Sequence, residues 1–155
     1  MPQKGKCMKE TITLRPSTIE DADILLEWRN DPETRKASHN TTKVERSNHV
    51  SWLSGTLTNP DRRLYIAEEN GDLVGTVRTD YAEGVWELSW TVSPRARGRG
   101  VAKRMVAILA NEISEPIRAE VKTGNISSAR IAEHAGMVFE REIDGILHYR
   151  RAALG

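Results

Sequence analysis

The run Arg97-Gly98-Arg99-Gly100-Val101-Ala102-Lys103 combines charged side chains and glycines in a pattern suited to holding a small anion. It follows an apolar stretch ending at Val92 and a Ser93-Pro94 turn. It opens the helical pattern Val101 to Ile113, where Val101, Met105, Ile108 and Leu109 recur at helical spacing. The first turn of a helix carries backbone N–H groups without intrahelical partners, and the helix dipole adds about half an elementary charge there. Gly98 and Gly100 remove the Cβ atoms that would keep a ligand off the backbone, while Arg97 and Arg99 can add charge from the sides. A phosphate fits such an end. The competing reading is a glycine turn with solvated arginines.

Two familiar phosphate loops do not fit. A Walker loop needs Gly-Lys followed by Ser or Thr, and here Val101 follows Gly100. A dinucleotide fingerprint needs a third glycine where this chain has Lys103, and it should follow the first strand of a βαβ unit.

The elements that must position the loop fit one domain. A chain of 155 residues can bury a core without disulfides or metal. The single Cys7 lies in a polar stretch, Met1 to Glu10, read as a flexible N-terminal segment, and suggests a reducing compartment. No apolar run has membrane-spanning length, so the expectation is a soluble cytoplasmic protein with no membrane partner. A net charge of +1 gives no global pull toward nucleic acid, and the local cluster of Arg95, Arg97, Arg99, Lys103 and Arg104 suits a small polyanion better than a duplex.

Along the chain, Thr11 to Arg15 alternates as a short strand would and stops at Pro16. Ser17 or Thr18 can cap a helix reaching Asn30, with Ile19, Ala22, Leu25, Leu26 and Trp28 largely on one face. Pro32 can start a short helix carrying Arg35, and Val44 to Leu57 reads as a further helix with Val44, His49, Trp52 and Leu53 inward. Strands follow at Leu64 to Glu68, Leu73 to Asp80 and Val85 to Val92, joined by turns at Asn70-Gly71 and Glu83-Gly84. After the helix from Val101, Ile117 to Val121 reads as a strand, Ser127 to Ala135 as a helix stopped by Gly136, and Val138 to Ile143 with Ile146 to Arg150 as a final hairpin. The predicted class is α/β with a mixed sheet, in the order β-α-α-β-β-β-α-β-α-β-β.

Arg97-Gly98-Arg99-Gly100-Val101-Ala102 resembles the acyl-CoA loop of the GCN5-related N-acetyltransferases at every fixed position of that pattern: Arg or Gln, two residues, Gly, one residue, then Gly or Ala. A second motif stands in the right place: Asn125-Ile126-Ser127-Ser128-Ala129-Arg130-Ile131-Ala132-Glu133-His134-Ala135-Gly136-Met137 resembles the family's helix after the fifth strand. His134 and Met137 stand where lysine and phenylalanine are usual. The element order is also the family's, and the resemblance covers Thr11 to Arg151.

The resemblance implies acetyl-CoA as donor, with its pyrophosphate on the backbone of Arg97, Gly98, Arg99, Gly100, Val101 and Ala102, with Lys103 adjoining, and its pantetheine beside the strand ending at Val92. Asn125 and Ser128 would bond the cofactor, although each equally suits a helix start. A protonated amine cannot attack a thioester, so a base must remove a proton. Glu87 on the strand before the loop resembles acids carried there by family members and is the expected base; its alternative is a strand-edge carboxylate paired with an arginine. The tyrosine that many members place seven residues after the asparagine is Ala132 here, which leaves Ser128 as the candidate donor to the thiolate. The ordinary thiol pKa of about 8.5 also makes a dedicated acid unnecessary.

Acceptor choice falls to the first half of the chain. Trp28, Arg29, Asn30, Arg35, His49 and Trp52 resemble positions in the branch containing the pseudaminic acid biosynthesis N-acetyltransferases, which act on a nucleotide-linked amino sugar. The alternatives are core packing for the tryptophans and surface ion pairs for the arginines. A small amine or protein N-terminus is the competing acceptor, and a non-catalytic acyl-CoA-binding module the competing class. The four histidines have no metal spacing, so no metal is expected. By family analogy, the last strands are a possible homodimer interface.

Overall fold

The computed structural model describes residues 11–155; Cys7 and the N-terminal segment Met1 to Glu10 lie outside the described residues. The elements are β1 (Ile12–Pro16), α1 (Ala22–Asn30), α2 (Pro32–Ala37), α3 (Arg46–Thr58), β2 (Arg62–Glu69), β3 (Asp72–Ala82), β4 (Val85–Val92), α4 (Val101–Glu112), β5 (Ile117–Lys122), α5 (Ile126–His134), β6 (Val138–Ile143) and β7 (Ile146–Arg151), with 3-10 turns at Ile19–Asp21 and Pro94–Ala96. The expected order holds, and the short helix expected from Pro32 stands between the two longer ones.

Seven strands form one mixed sheet in the order β1-β2-β3-β4-β5-β7-β6. All neighbours are antiparallel except β4 and β5. Its three hairpins turn on Asn70-Gly71, Glu83-Gly84 and Asp144-Gly145, all with positive φ at both positions. That is the type I′ geometry, whose twist matches the flanking strands.

Two cores divide the labour. On one face, α4 and α5 bury Met105, Val106, Leu109 and Ile131 against Val77, Leu88, Ile117 and Ala119. Contact is close at Gly75 of β3, where an added Cβ would stand 2.9 Å from Met105 Sδ and 2.9 Å from the Thr91 carbonyl. The smaller core joins Ala22, Leu25 and Trp28 of α1 to Leu53 of α3 and to Leu64 and Ile66 of β2. Ile19 departs from the predicted apolar face: it sits in the 3-10 turn and is exposed.

That turn fixes how α1 enters. Thr18 and Asp21 form a capping box, with Thr18 N–H donating to Asp21 Oδ2 at 2.8 Å and Glu20 N–H to Thr18 Oγ1 at 3.3 Å. Arg15 holds the same carboxylate through Nη2 at 2.8 Å and reaches Glu68 with Nε at 2.9 Å, tying β1, the turn and β2 together.

Candidate functional site

The sheet opens between β4 and β5. Their parallel pairing is limited to Trp86↔Ile117 and Glu87↔Arg118, after which the strands diverge and Leu88 to Val92 have no β5 partner in the ladder. The opening is part of a cleft of about 1680 Å³, walled by Leu88 to Val92, by the loop from Ala96, by the start of α5 and by α1, α3 and β3.

The loop wall follows from glycine. Gly98 (φ 80°) and Gly100 (φ 72°) are left-handed, and a Cβ at either would project into open space. Gly100 is the N-cap of α4 and supplies no side-chain cap, so the first-turn N–H groups remain available. Gly98, Gly100, Val101, Ala102 and Lys103 all line the cleft, as does Val92. This is an anion cradle with room for a ligand to approach the backbone. Arg99 departs from expectation: it is absent from the cleft wall and turns toward Glu69 at 3.4 Å.

Arg97 lines the cleft, and its guanidinium is held by Asp31, with Glu33 at 3.8 Å and Thr34 Oγ1 at 3.3 Å. Asp31 caps α2 by accepting from the N–H groups of Glu33 and Thr34. The Arg97 hydrogen bond, helped by those two amides, keeps its carboxyl below the usual carboxylate range. The glycine loop and the helices of the first half of the chain are therefore joined by an ion pair.

At the α5 side, Asn125 and Ser128 both line the cleft. Asn125 Oδ1 accepts from Ser128 N–H at 3.1 Å, so this asparagine caps the helix.

Glu87 lies on β4, the strand expected for it. It stands where β4 and β5 still pair, outside the cleft wall, with Oε1 accepting from Arg118 Nη2 at 2.8 Å. The reason is register: the strands part only beyond it. Among the described residues, Glu33 and Glu120 are the carboxylates in the wall. Glu120 is on β5, with His39 Nε2 at 3.1 Å from Oε1 and His148 Nδ1 at 4.0 Å from Oε2. The alternation Ile117-Arg118-Ala119-Glu120-Val121-Lys122 carried this signal, since it buries the odd positions and leaves Glu120 on the cleft face.

The predicted acceptor residues divide. Trp28 is 1% exposed and belongs to the core, though its edge reaches the cleft. His49 and Trp52 line the cleft as a stacked pair with centroids 5.7 Å apart, and the Arg78 guanidinium lies 5.6 Å from the Trp52 ring centroid. Arg29 lines it too, with Nη2 donating to the Asn40 carbonyl at 2.7 Å and Nη1 buried without a partner among the described residues. Burial and the nearby Arg35 push its pKa below the guanidinium range. Asn30 and Arg35 are not in the wall. Asn30 is occupied in a two-way bond with the Val44 backbone, at 2.9 and 2.8 Å, and Arg35 Nε donates to the Thr41 carbonyl at 3.2 Å.

Among the described residues no helix is long and apolar enough to cross a membrane, and no group of three His, Cys, Asp or Glu stands together to hold a metal.

Solved structures share this architecture. An aminoglycoside acetyltransferase AAC(6')-Ib in complex with coenzyme A superposes with a TM-score of 0.77 at 19% identity, covering 92% of this chain and 95% of that one. Spermidine N-acetyltransferase from Vibrio cholerae, in complex with CoA and spermine, gives 0.78 at 16% identity, over 90% and 94%. A domain from Methanocaldococcus jannaschii gives 0.79 at 20%, over 92% and 98%. No curated protein matches by sequence. A protein-family model described as acetyltransferase (GNAT) domain matches residues 11–138, and on that match, with the strand opening and glycine cradle above, the chain belongs to the GNAT acetyltransferase family.

Proposed function

We propose that the protein is an acetyl-CoA-dependent N-acetyltransferase whose acceptor is a primary amine carrying an anionic group, with a nucleotide-linked amino sugar as the best-fitting class. The observation that carries the acceptor class is Arg29: a half-buried guanidinium in the cleft wall whose buried Nη1 has no partner among the described residues. A buried guanidinium N–H without an acceptor is costly, and a phosphate or carboxylate on the acceptor molecule would supply one. Arg78 stands on the same side, although Asp80 holds its Nε at 2.9 Å. The stacked rings of His49 and Trp52 offer a flat surface for a base or sugar ring. A polycationic acceptor would call for carboxylates where Arg29 and Arg78 stand.

The cradle fits the donor: a diphosphate would rest on the amides of Gly98 to Ala102, with Arg97 and Lys103 at the sides. The unpaired edge of β4 from Leu88 to Val92 would receive an amide-bearing arm. Acetyl-CoA supplies the acetyl group as a thioester. Glu120 accepts the proton from the ammonium form of the acceptor, directly or through water, and His39 holds its carboxylate in place. Ser128 is the hydroxyl at the cofactor side that can donate to the departing sulfur.

Free-thiol release from acetyl-CoA, followed across nucleotide-linked amino sugars, free amino sugars, polyamines, aminoglycosides and N-terminal peptides, tests this reading. Selective turnover of the phosphorylated acceptors supports it. Preference for polyamines or aminoglycosides, or for peptides, would overturn the acceptor class and leave the donor assignment standing.

A further inference from the structure

The cradle is held from behind. Glu69 ends β2, and its side chain is 2% exposed, a position where a carboxylate needs cationic or hydrogen-bonding partners. Its Oε2 accepts from Arg104 Nη1 at 2.7 Å, and its Oε1 lies 3.4 Å from Arg99 Nη2. Arg104 stands in the first turn of α4 and reaches back into the loop. Its Nη2 donates to the Arg99 carbonyl at 3.0 Å and its Nε to the Gly100 carbonyl at 3.3 Å.

In a trans peptide the C=O and the following N–H point in opposite directions, and all peptides in the described chain are trans. Drawing the Arg99 and Gly100 carbonyls toward Arg104 therefore turns the N–H groups of Gly100 and Val101 the other way. Gly100 and Val101 line the cleft, while Arg99 and Arg104 do not. The Gly100 carbonyl also accepts the Arg104 backbone N–H at 3.1 Å, as the first turn of α4 requires, so the plane that depends on the guanidinium is the one between Arg99 and Gly100, where a glycine offers no side chain to hold it.

We infer that Glu69 is a positioning residue for the cofactor's diphosphate: through Arg104 it sets the Arg99–Gly100 peptide plane so that the Gly100 amide faces the anion. This rests on the loop being the diphosphate site. Glu69 touches no substrate; it fixes the guanidinium that orients the loop. The role is confined to one part of the donor, since the pantetheine arm would lie along β4 and not on the loop.

Calorimetric titration of CoA and of pantetheine, which lacks the diphosphate, into wild type, Glu69→Gln and Arg104→Lys tests the inference. Arg104→Lys keeps a cation beside Glu69 but lacks the second nitrogen that reaches the Arg99 carbonyl, so it reports on orientation even where loss of the buried carboxylate disturbs folding. Thermal melts accompany each variant. The expected result is a Kd for CoA raised about ten to a hundredfold in both variants, comparable to one charge-assisted hydrogen bond, with the Kd for pantetheine changed less than about twofold. Equal weakening of both ligands would reduce Glu69 to a purely structural role, and unchanged or tighter CoA binding would remove the orienting role. A wild-type protein that does not bind CoA would overturn the loop assignment itself, and the inference with it.

Discussion

On the side of the cleft made by β4, the loop and α4, the groups that meet the opening are largely main-chain amides exposed by glycine and by a parted strand edge. On the side made by α1, α3 and β3 they are rings and guanidinium groups: Trp52, His49, Arg29 and Arg78. A backbone surface binds what every donor of one class shares, and its geometry is set by chain direction. A side-chain surface selects among acceptors, and residues one position apart on a helix can point to different fates. The two sides meet at the Arg97–Asp31 pair, and Glu120, the carboxylate proposed to take the proton, lies in the same cleft wall.

The largest effect expected from that division belongs to the carboxylate. Glu120→Gln should lower turnover about 10²–10⁴-fold with the Kd for acetyl-CoA unchanged, whereas Glu87→Gln should lose less than about tenfold. Steady-state rates with a calorimetric Kd check the pair, and the reverse ranking would return the base to β4.

Next comes the support of the acceptor wall. Trp28→Ala should cost about 3–5 kcal/mol of stability in a chemical melt, since it empties the small core. Gly75→Ala should cost about 1–3 kcal/mol, because its Cβ would press on Met105 and the Thr91 carbonyl.

Selection by side chains is sharpened by Arg29→Met. The KM for the acceptor should rise about ten to a hundredfold with the KM for acetyl-CoA unchanged. The same change at Arg35, whose side chain is turned to Thr41, should move neither value by more than about twofold.

The smallest effect is a pH dependence. Burial holds the His49 imidazole below its ordinary value of 6.5, with the Ala22 backbone opposing and Arg46 and Arg29 assisting. As pH falls below about 6.5 the unfolded chain takes up a proton that the folded chain refuses, so stability is full above that value and declines below it. The slope is at most about 1.4 kcal/mol per pH unit. Denaturant melts between pH 5 and 8 should show it in wild type and not in His49→Gln.

The backbone side was the more legible in sequence. Glycines at 98 and 100, a proline turn before them and an apolar helix after them mark the turn and the helix start, and β4 runs from Val85 to Val92 as the pattern predicts. Glu87 and Glu120 could not be ranked that way. Both lie on strands beside the opening, and only the short ladder at Trp86 and Glu87 decides which one stands where the strands have parted. Similarly, Asn30 and Arg29 are neighbours on α1, yet Asn30 is consumed by the Val44 backbone while Arg29 reaches the cleft. Arg99 shows the limit of composition: a second arginine in the loop turns toward a buried glutamate and stays out of the cleft wall.

The most direct test of the central claim is acetyl-CoA turnover with a nucleotide-linked 4-amino sugar and with spermidine, measured side by side as thiol release for wild type and Arg29→Met. The account predicts a kcat/KM at least about a hundredfold higher for the sugar nucleotide in wild type, and a fall confined to that acceptor in the variant, as the loss of a charge-assisted contact requires. Equal or better turnover of spermidine, unaffected by Arg29→Met, would contradict it.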